Sequence, residues 1–329
     1  MAPDEGSPAA RWRARWWRLL WRTQGWDYGR LLPTLARLPM GLALPLASLR
    51  DQVNGWLHRD WRSMSLGSAH IATQTRQAYQ ALFPQAPPAT VARWLRGRFR
   101  TESRNEFEAE LVNQGRVREL AFDLPQKATV DPLLFDRSRG LLLLIPHWDG
   151  FHIGTAFLGQ YLAGSGRAIH AMSSAVFEDP RVHSAVQRHL NQRYRGIEQY
   201  FNGGRVMHLE DGLRQFYQVL AQGDILVVLA DSPPLPQGVS MEVPFLAARR
   251  RMAGGAVKMA RRQHSLIGSV VCKNLRPGRY ELTFSPVAPI DAPDAVAQVY
   301  MFLSGQIRHN PERWLAADLL SHMPATSPP

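Results

Sequence analysis

Two textures of apolar and polar positions divide the chain. Up to about residue 120 the apolar residues recur at helical spacing between prolines. SAHIATQTRQAYQALF (68–83) keeps that period and stops before Pro84. ATVARWLRGRFRTESRNEFEAELVN (89–113) sets Val91, Trp94, Leu95, Phe99 and Phe107 near one side, which predicts a long amphipathic helix. From about 130 short apolar runs alternate with helical stretches. GLLLLIP (140–146) and GDILVVLAD (223–231) read as buried strands, SLIGSVVCKN (265–274) as a third, and the alternating GRYELTFSPV (278–287) as a fourth. Helices fill the gaps at 179–194, 211–222 and 254–264. Strands alternating with helices predict an α/β fold, a mostly parallel sheet flanked by helices. The change of texture sets the boundaries: a helical N-terminal region at 1–128, an α/β core at 129–323, and a disordered tail, PATSPP, at 324–329.

Composition adds a partner. The 329 residues carry a formal net charge of +12, which favours an anionic surface. Within RWRARWWRLLWR (11–22), a helix at about 100° per residue gathers Arg11, Arg15, Arg18 and Arg22 into one stripe. Trp12 and Trp16 fall on one side of it, Trp17 on the other. Arginine with tryptophan suits a helix at an anionic membrane surface, with rings at headgroup depth. The alternative is a surface helix that docks its rings on its own domain. No nucleic-acid module follows, so nucleic acid is not expected as a partner. The segment 31–49 contains Arg37, Pro33, Pro39 and Pro45, a poor pattern for a membrane-spanning helix. The single cysteine, Cys272, excludes an intrachain disulfide framework and a cysteine-based zinc cluster.

The two most apolar strands end alike, in PHWDG after the first and DSPP after the second. Ligands of open α/β sheets gather beyond the carboxyl ends of strands. His147 and Asp231 therefore point to one site, with His147 the candidate general base.

The order of these motifs resembles the lysophospholipid acyltransferase superfamily, over residues of about 85–315, and especially its branch of bacterial lipid A late acyltransferases (lauroyl- and myristoyltransferase-like). The likeness rests on His147-Trp148-Asp149-Gly150-Phe151 after a strand, on GDILVVLADSPP, and on VPFLAARRRMAGGAVKMARRQHSLIGSVV. Asn310-Pro311-Glu312-Arg313-Trp314 is similar to the family's closing region. The resemblance implies transfer of a fatty acyl group from an acyl carrier protein or coenzyme A thioester to the hydroxyl of a membrane lipid or glycolipid. It implies no metal and no cofactor, and a peripheral place on the cytoplasmic face of a bacterial inner membrane. Arg249, Arg250 and Arg251 would receive acceptor phosphates or an acidic carrier protein; the alternative is a solvated basic turn. Gly254 and Gly255 look like a phosphate-cradling turn that opens a helix.

One position departs from the family. After its histidine and four intervening residues the family places an acid, and here that place holds His152. Three readings stay open. Asp149 takes the acid's role; or His147 works with His152, Asp231 or another distant carboxylate; or the site has lost acyl transfer, leaving a non-catalytic acyl-lipid-binding protein or a different reaction. A second departure, Leu315-Ala316-Ala317-Asp318 after Trp314, suggests an acceptor other than the lipid A sugar. Trp148 and Phe151 read as wall packing, His183, His189 and His208 as structural or surface residues, and Cys272 as a buried small hydrophobe.

Overall fold

The computed structural model describes residues 22–62, 68–173 and 182–327. Leu141–Ile145 (β2) lies at the centre, fully buried, as a run of five branched apolar residues without a polar face demands. It pairs in parallel with Ile225–Leu229 (β5) on one side and Leu266–Arg276 (β8) on the other. The sheet has eight strands. Beyond β5 come Ile169–Ser173 (β3) and Val206–His208 (β4), both parallel; beyond β8 come the antiparallel Arg279–Phe284 (β9) and Ala121–Asp123 (β1), while Ala288–Pro289 (β10) adds to β8.

Alternation along β2 feeds two cores. Leu141, Leu143 and Ile145 join Phe107, Leu111, Ile153, Val186 and Leu190 on one face. Leu142 and Leu144 join Phe216, Val257, Tyr300, Leu303 and Trp314 on the other. The first face is covered by helices Pro88–Asn113, Phe151–Tyr161 and Ser184–Glu198, the second by Arg214–Ala221, Gly255–Arg262 and Ala295–His309. The α/β fold with a mostly parallel sheet between helices is thus the observed architecture. Tyr28, Leu32 and Ala43, from the N-terminal helical region, belong to the first of these cores.

Three expectations change. The helix at 88–113 is amphipathic only in its first half; from Gly97 to Val112 all but Arg100 and Arg104 are buried. Several of its buried charges are held by internal pairs: Arg98 with Asp60, Glu106 with Arg50, and Glu110 with His189. The expected disordered tail is a strand in part: Ala325–Ser327 pairs with Arg249–Ala253 (β7) in a second, three-stranded antiparallel sheet with Ser240–Pro244 (β6). Arg249, Arg250 and Arg251 accordingly lie in a strand and not in a turn. Trp12, Trp16, Trp17, Arg11, Arg15 and Arg18 lie outside the described residues, as do 328 and 329. Among the described residues no helix is long and apolar enough to cross a membrane.

Candidate active site

The register of β2 against β5 sets the site. Ile145 sits opposite Leu229 in neighbouring parallel strands, so residues two positions beyond each strand meet at the same level. Those residues are His147 and Asp231. The His147 ring Nδ1 is 2.8 Å from Asp231 Oδ1, and the His147 backbone N–H donates to both carboxylate oxygens at 3.1 and 3.0 Å.

A third segment closes over the pair. Trp148 and Trp314 form an antiparallel bridge, flanked by Asp149 N–H to Arg313 C=O (2.9 Å) and Leu315 N–H to His147 C=O (2.8 Å). This places the Trp314 indole Nε1 2.8 Å from Asp231 Oδ2. Phe245 packs edge-on against Trp314, which ties the β6–β7 hairpin to the site.

Asp231 is completely buried. Burial alone would raise its pKa, but the facing His147, the hydrogen bonds from ring and backbone, and the Trp314 N–H outweigh it. The carboxyl is held below its ordinary 3.8 and stays ionised. A carboxylate only accepts hydrogen bonds, so in the neutral imidazole the His147 Nδ1 carries the proton and Nε2 the lone pair. The His147 side chain is 29% exposed, open enough for a substrate to reach that nitrogen.

Asp149 faces other partners. It adopts a positive φ of 45°, a conformation that aspartate tolerates better than most residues. Its buried carboxylate is held by Arg104, by Arg313 and by the Asn274 backbone N–H at 2.9 Å, while Asn105 donates to its carbonyl at 2.7 Å. Asp149 therefore joins four segments instead of orienting His147. His152 is buried on the next helix, which packs close on β8: a Cβ on Gly154 would lie 2.3 Å from that of Cys272. Among the described residues its Nε2 has no hydrogen-bond partner. Burial, with Arg193 and His189 nearby, holds its pKa well below 6.5, so it is neutral.

The remaining expected site residues lie on the second sheet and the helix after it. Arg249 and Arg251 are exposed, and Arg250 donates to the Met323 carbonyl at 2.8 Å. Gly254 packs against Ser240 and Met241 of β6, whereas a side chain at Gly255 would meet open space. Trp148 is fully buried as wall packing and Cys272 is buried in β8, both as the sequence suggests. His183 caps a helix, accepting from Ala185 N–H at 3.0 Å, and His189 contacts Glu110 at 2.7 Å.

Sequence reasoning missed Trp314 as a partner of Asp231, and Arg104 and Arg313 as partners of Asp149. Trp314 and Arg313 stand in the quoted closing segment, yet nothing in their spacing reveals which strand end they meet. Two clefts are lined by neither His147 nor Asp231. One of about 280 Å³ is lined by Leu44, Ser48, Arg100, Arg104, Asn274 and Arg313. Another of about 660 Å³ lies between Tyr28, Arg37, Glu110 and Arg188 and does not include His147.

Comparison with curated proteins finds no match. The family model for bacterial lipid A biosynthesis acyltransferases matches residues 134–316. That span covers more than half of the chain and contains His147, Asp231 and Trp314. The chain therefore belongs to the bacterial lipid A biosynthesis acyltransferase family, whose chemistry is acyl transfer in lipid synthesis.

Proposed function

We propose that this protein transfers a fatty acyl group from a thioester, carried by acyl carrier protein or coenzyme A, to the hydroxyl of a lipid or glycolipid. His147 is the general base and Asp231 its orienting carboxylate. One observation carries the reading: a partly exposed imidazole whose Nδ1 is occupied by a buried carboxylate, leaving Nε2 as the proton acceptor.

In the reaction Nε2 takes the proton of the acceptor hydroxyl as its oxygen attacks the thioester carbonyl, forming the C–O bond. The imidazolium is stabilised by the Asp231 charge, which the Trp314 N–H and the His147 backbone N–H hold in place. Collapse of the tetrahedral intermediate breaks the C–S bond, and the departing sulfur takes the proton from Nε2. Asp231 thus fills the part that the acid missing at His152 plays elsewhere, reaching His147 from the neighbouring strand. The same reading places the protein on the cytoplasmic face of a bacterial inner membrane.

The test is acyl release from a labelled acyl-carrier thioester in the presence of membrane lipid extract. Wild type is expected to give labelled lipid, and His147→Ala and Asp231→Asn to give almost none while still folding. A wild-type protein that binds the lipid but never acylates it overturns the proposal in favour of a non-catalytic lipid-binding role.

A further inference from the structure

Helix Met40–Leu57 is inside out. The face turned into the protein carries Arg50, Asp51 and Asn54 among small residues. These polar groups are paired: Arg50 with Asp27 and Glu106, Asp51 and Asn54 with the Ser103 hydroxyl. The outward face carries Leu42, Leu46, Leu49, Val53 and Trp56, exposed by 58, 44, 61, 49 and 75%. Their spacing of four, three, four and three residues is one continuous stripe along the helix. A helix that faces water shows the reverse arrangement, and contiguous apolar patches of this kind mark a surface that something covers.

The surroundings say what covers it. The one acid on the helix, Asp51, is buried. Cations border the stripe: the Arg96 guanidinium lies 5.9 Å from the Trp56 ring, and Arg100 donates to Gln52 at 3.1 Å. At the other end the Leu44 side chain reaches Gly278, in the turn that exposes Leu275 and Arg276. An apolar stripe with a cationic border and no exposed acid on its helix complements an anionic lipid bilayer. Trp56, with its amphipathic ring at the stripe's end, suits headgroup depth.

We infer that helix Met40–Leu57 docks the protein on an anionic bilayer, lying in the plane of the membrane with this stripe among the upper acyl chains. The inference deepens the lipid-acceptor reading, on which it rests for the reason the enzyme needs a membrane. The inner flank of the helix lines the 280 Å³ cleft beside Arg104 and Arg313, so docking brings that cleft to the lipid headgroups.

The test uses the full chain with Leu49→Cys carrying an environment-sensitive fluorophore; the native Cys272 is buried. Vesicles of phosphatidylglycerol and phosphatidylethanolamine are expected to shift the emission to the blue, and nitroxides placed high on the acyl chains to quench it. In the unlabelled protein, Leu46→Glu with Val53→Glu is expected to weaken vesicle binding roughly tenfold or more. Its melting temperature stays unchanged, because both side chains are exposed. Acyl transfer to a detergent-dispersed acceptor is measured on the same variant. Retained transfer with lost vesicle binding supports the docking role, and the vesicle result stands even if no transfer is seen. Unchanged vesicle binding by the variant overturns the inference. So does a label that responds to protein concentration instead of vesicles, which marks a second copy as the occupant, or to deletion of residues 1–21 alone.

Discussion

His147 and Asp231 meet through two groups of one residue and both oxygens of the other: the imidazole Nδ1 at 2.8 Å and the backbone N–H at 3.0–3.1 Å. The carboxylate therefore fixes the ring's tautomer as well as the loop that presents it. Asp231→Asn keeps the size and one acceptor oxygen but removes the charge opposite the imidazolium. Turnover is expected to fall by about 10²–10⁴-fold, with circular dichroism unchanged, in a labelled-acyl assay at saturating acceptor. A variant with more than half of wild-type turnover would remove Asp231 from the mechanism.

Asp149 is expected to behave differently although it lies two residues from His147. Its carboxylate neutralises Arg104 and Arg313, whose side chains are 25 and 22% exposed, at a point that is itself fully buried. Asp149→Ala removes the carboxylate that Arg104 and Arg313 share and leaves Arg104 only Glu108 at 3.3 Å, a loss of about 3–5 kcal/mol of stability. Urea unfolding measures it. Asp149→Asn keeps the shape and loses less; the fraction that remains folded is expected to retain turnover within about tenfold of wild type. Full folding with abolished turnover would instead return Asp149 to the catalytic group.

The strands that positioned the site were legible because β2 is buried throughout and β5 over its first three residues, and both have an uninterrupted apolar sequence. β2 and β5 read directly, and their polar ends pointed to His147 and Asp231. β6 and β7 did not: RRRMA has no alternation, and SMEVP alternates over only four residues before Pro244 in a short edge strand. β3, IHAMS, mixes polar residues into a half-buried strand. The choice of Asp231 over Asp149 or His152 was not legible. It depends on the pairing of strands 84 residues apart, a register that local spacing does not encode. Arg104 and Arg313 reach Asp149 from 45 and 164 residues away, across three different elements. The helix at 88–113 misled for a related reason: its charges looked solvent-facing until their partners Asp60, Arg50 and His189 were in place.

His152 gives the fold an acid sensitivity. Burial first, then Arg193 and His189, hold its pKa well below 6.5, whereas the unfolded chain binds a proton near pH 6.5. The unfolded state thus carries more protons between the two pKa values. The stabilisation is complete above the unfolded pKa and is lost as pH falls below it, by up to about 1.4 kcal/mol per pH unit. Thermal melts at pH 7.5 and 5.5 are expected to show a smaller difference for His152→Gln than for wild type. Equal differences in the two proteins would show that His152 does not govern this dependence.

The hairpin that supports Trp314 stores strain that one substitution releases. Phe245 N–H donates to Ala248 C=O at 2.8 Å around Leu246 and Ala247, whose φ values are 50° and 56°. A tight turn between antiparallel strands needs positive φ at both central residues, and glycine or asparagine usually supplies it. Here leucine and alanine do, each at a cost of about 1–3 kcal/mol. Ala247 is exposed, so Ala247→Gly loses no packing and gives up only the unfolded-state restriction that alanine provides. A net gain of about 1 kcal/mol is expected, read as a melting temperature higher by roughly 2 °C. Leu246→Gly relieves the same torsion but empties a side chain that is 1% exposed, and is expected to destabilise by about 2–4 kcal/mol. Opposite signs at adjacent residues of one turn separate backbone strain from side-chain burial, and a destabilised Ala247→Gly would refute the strain.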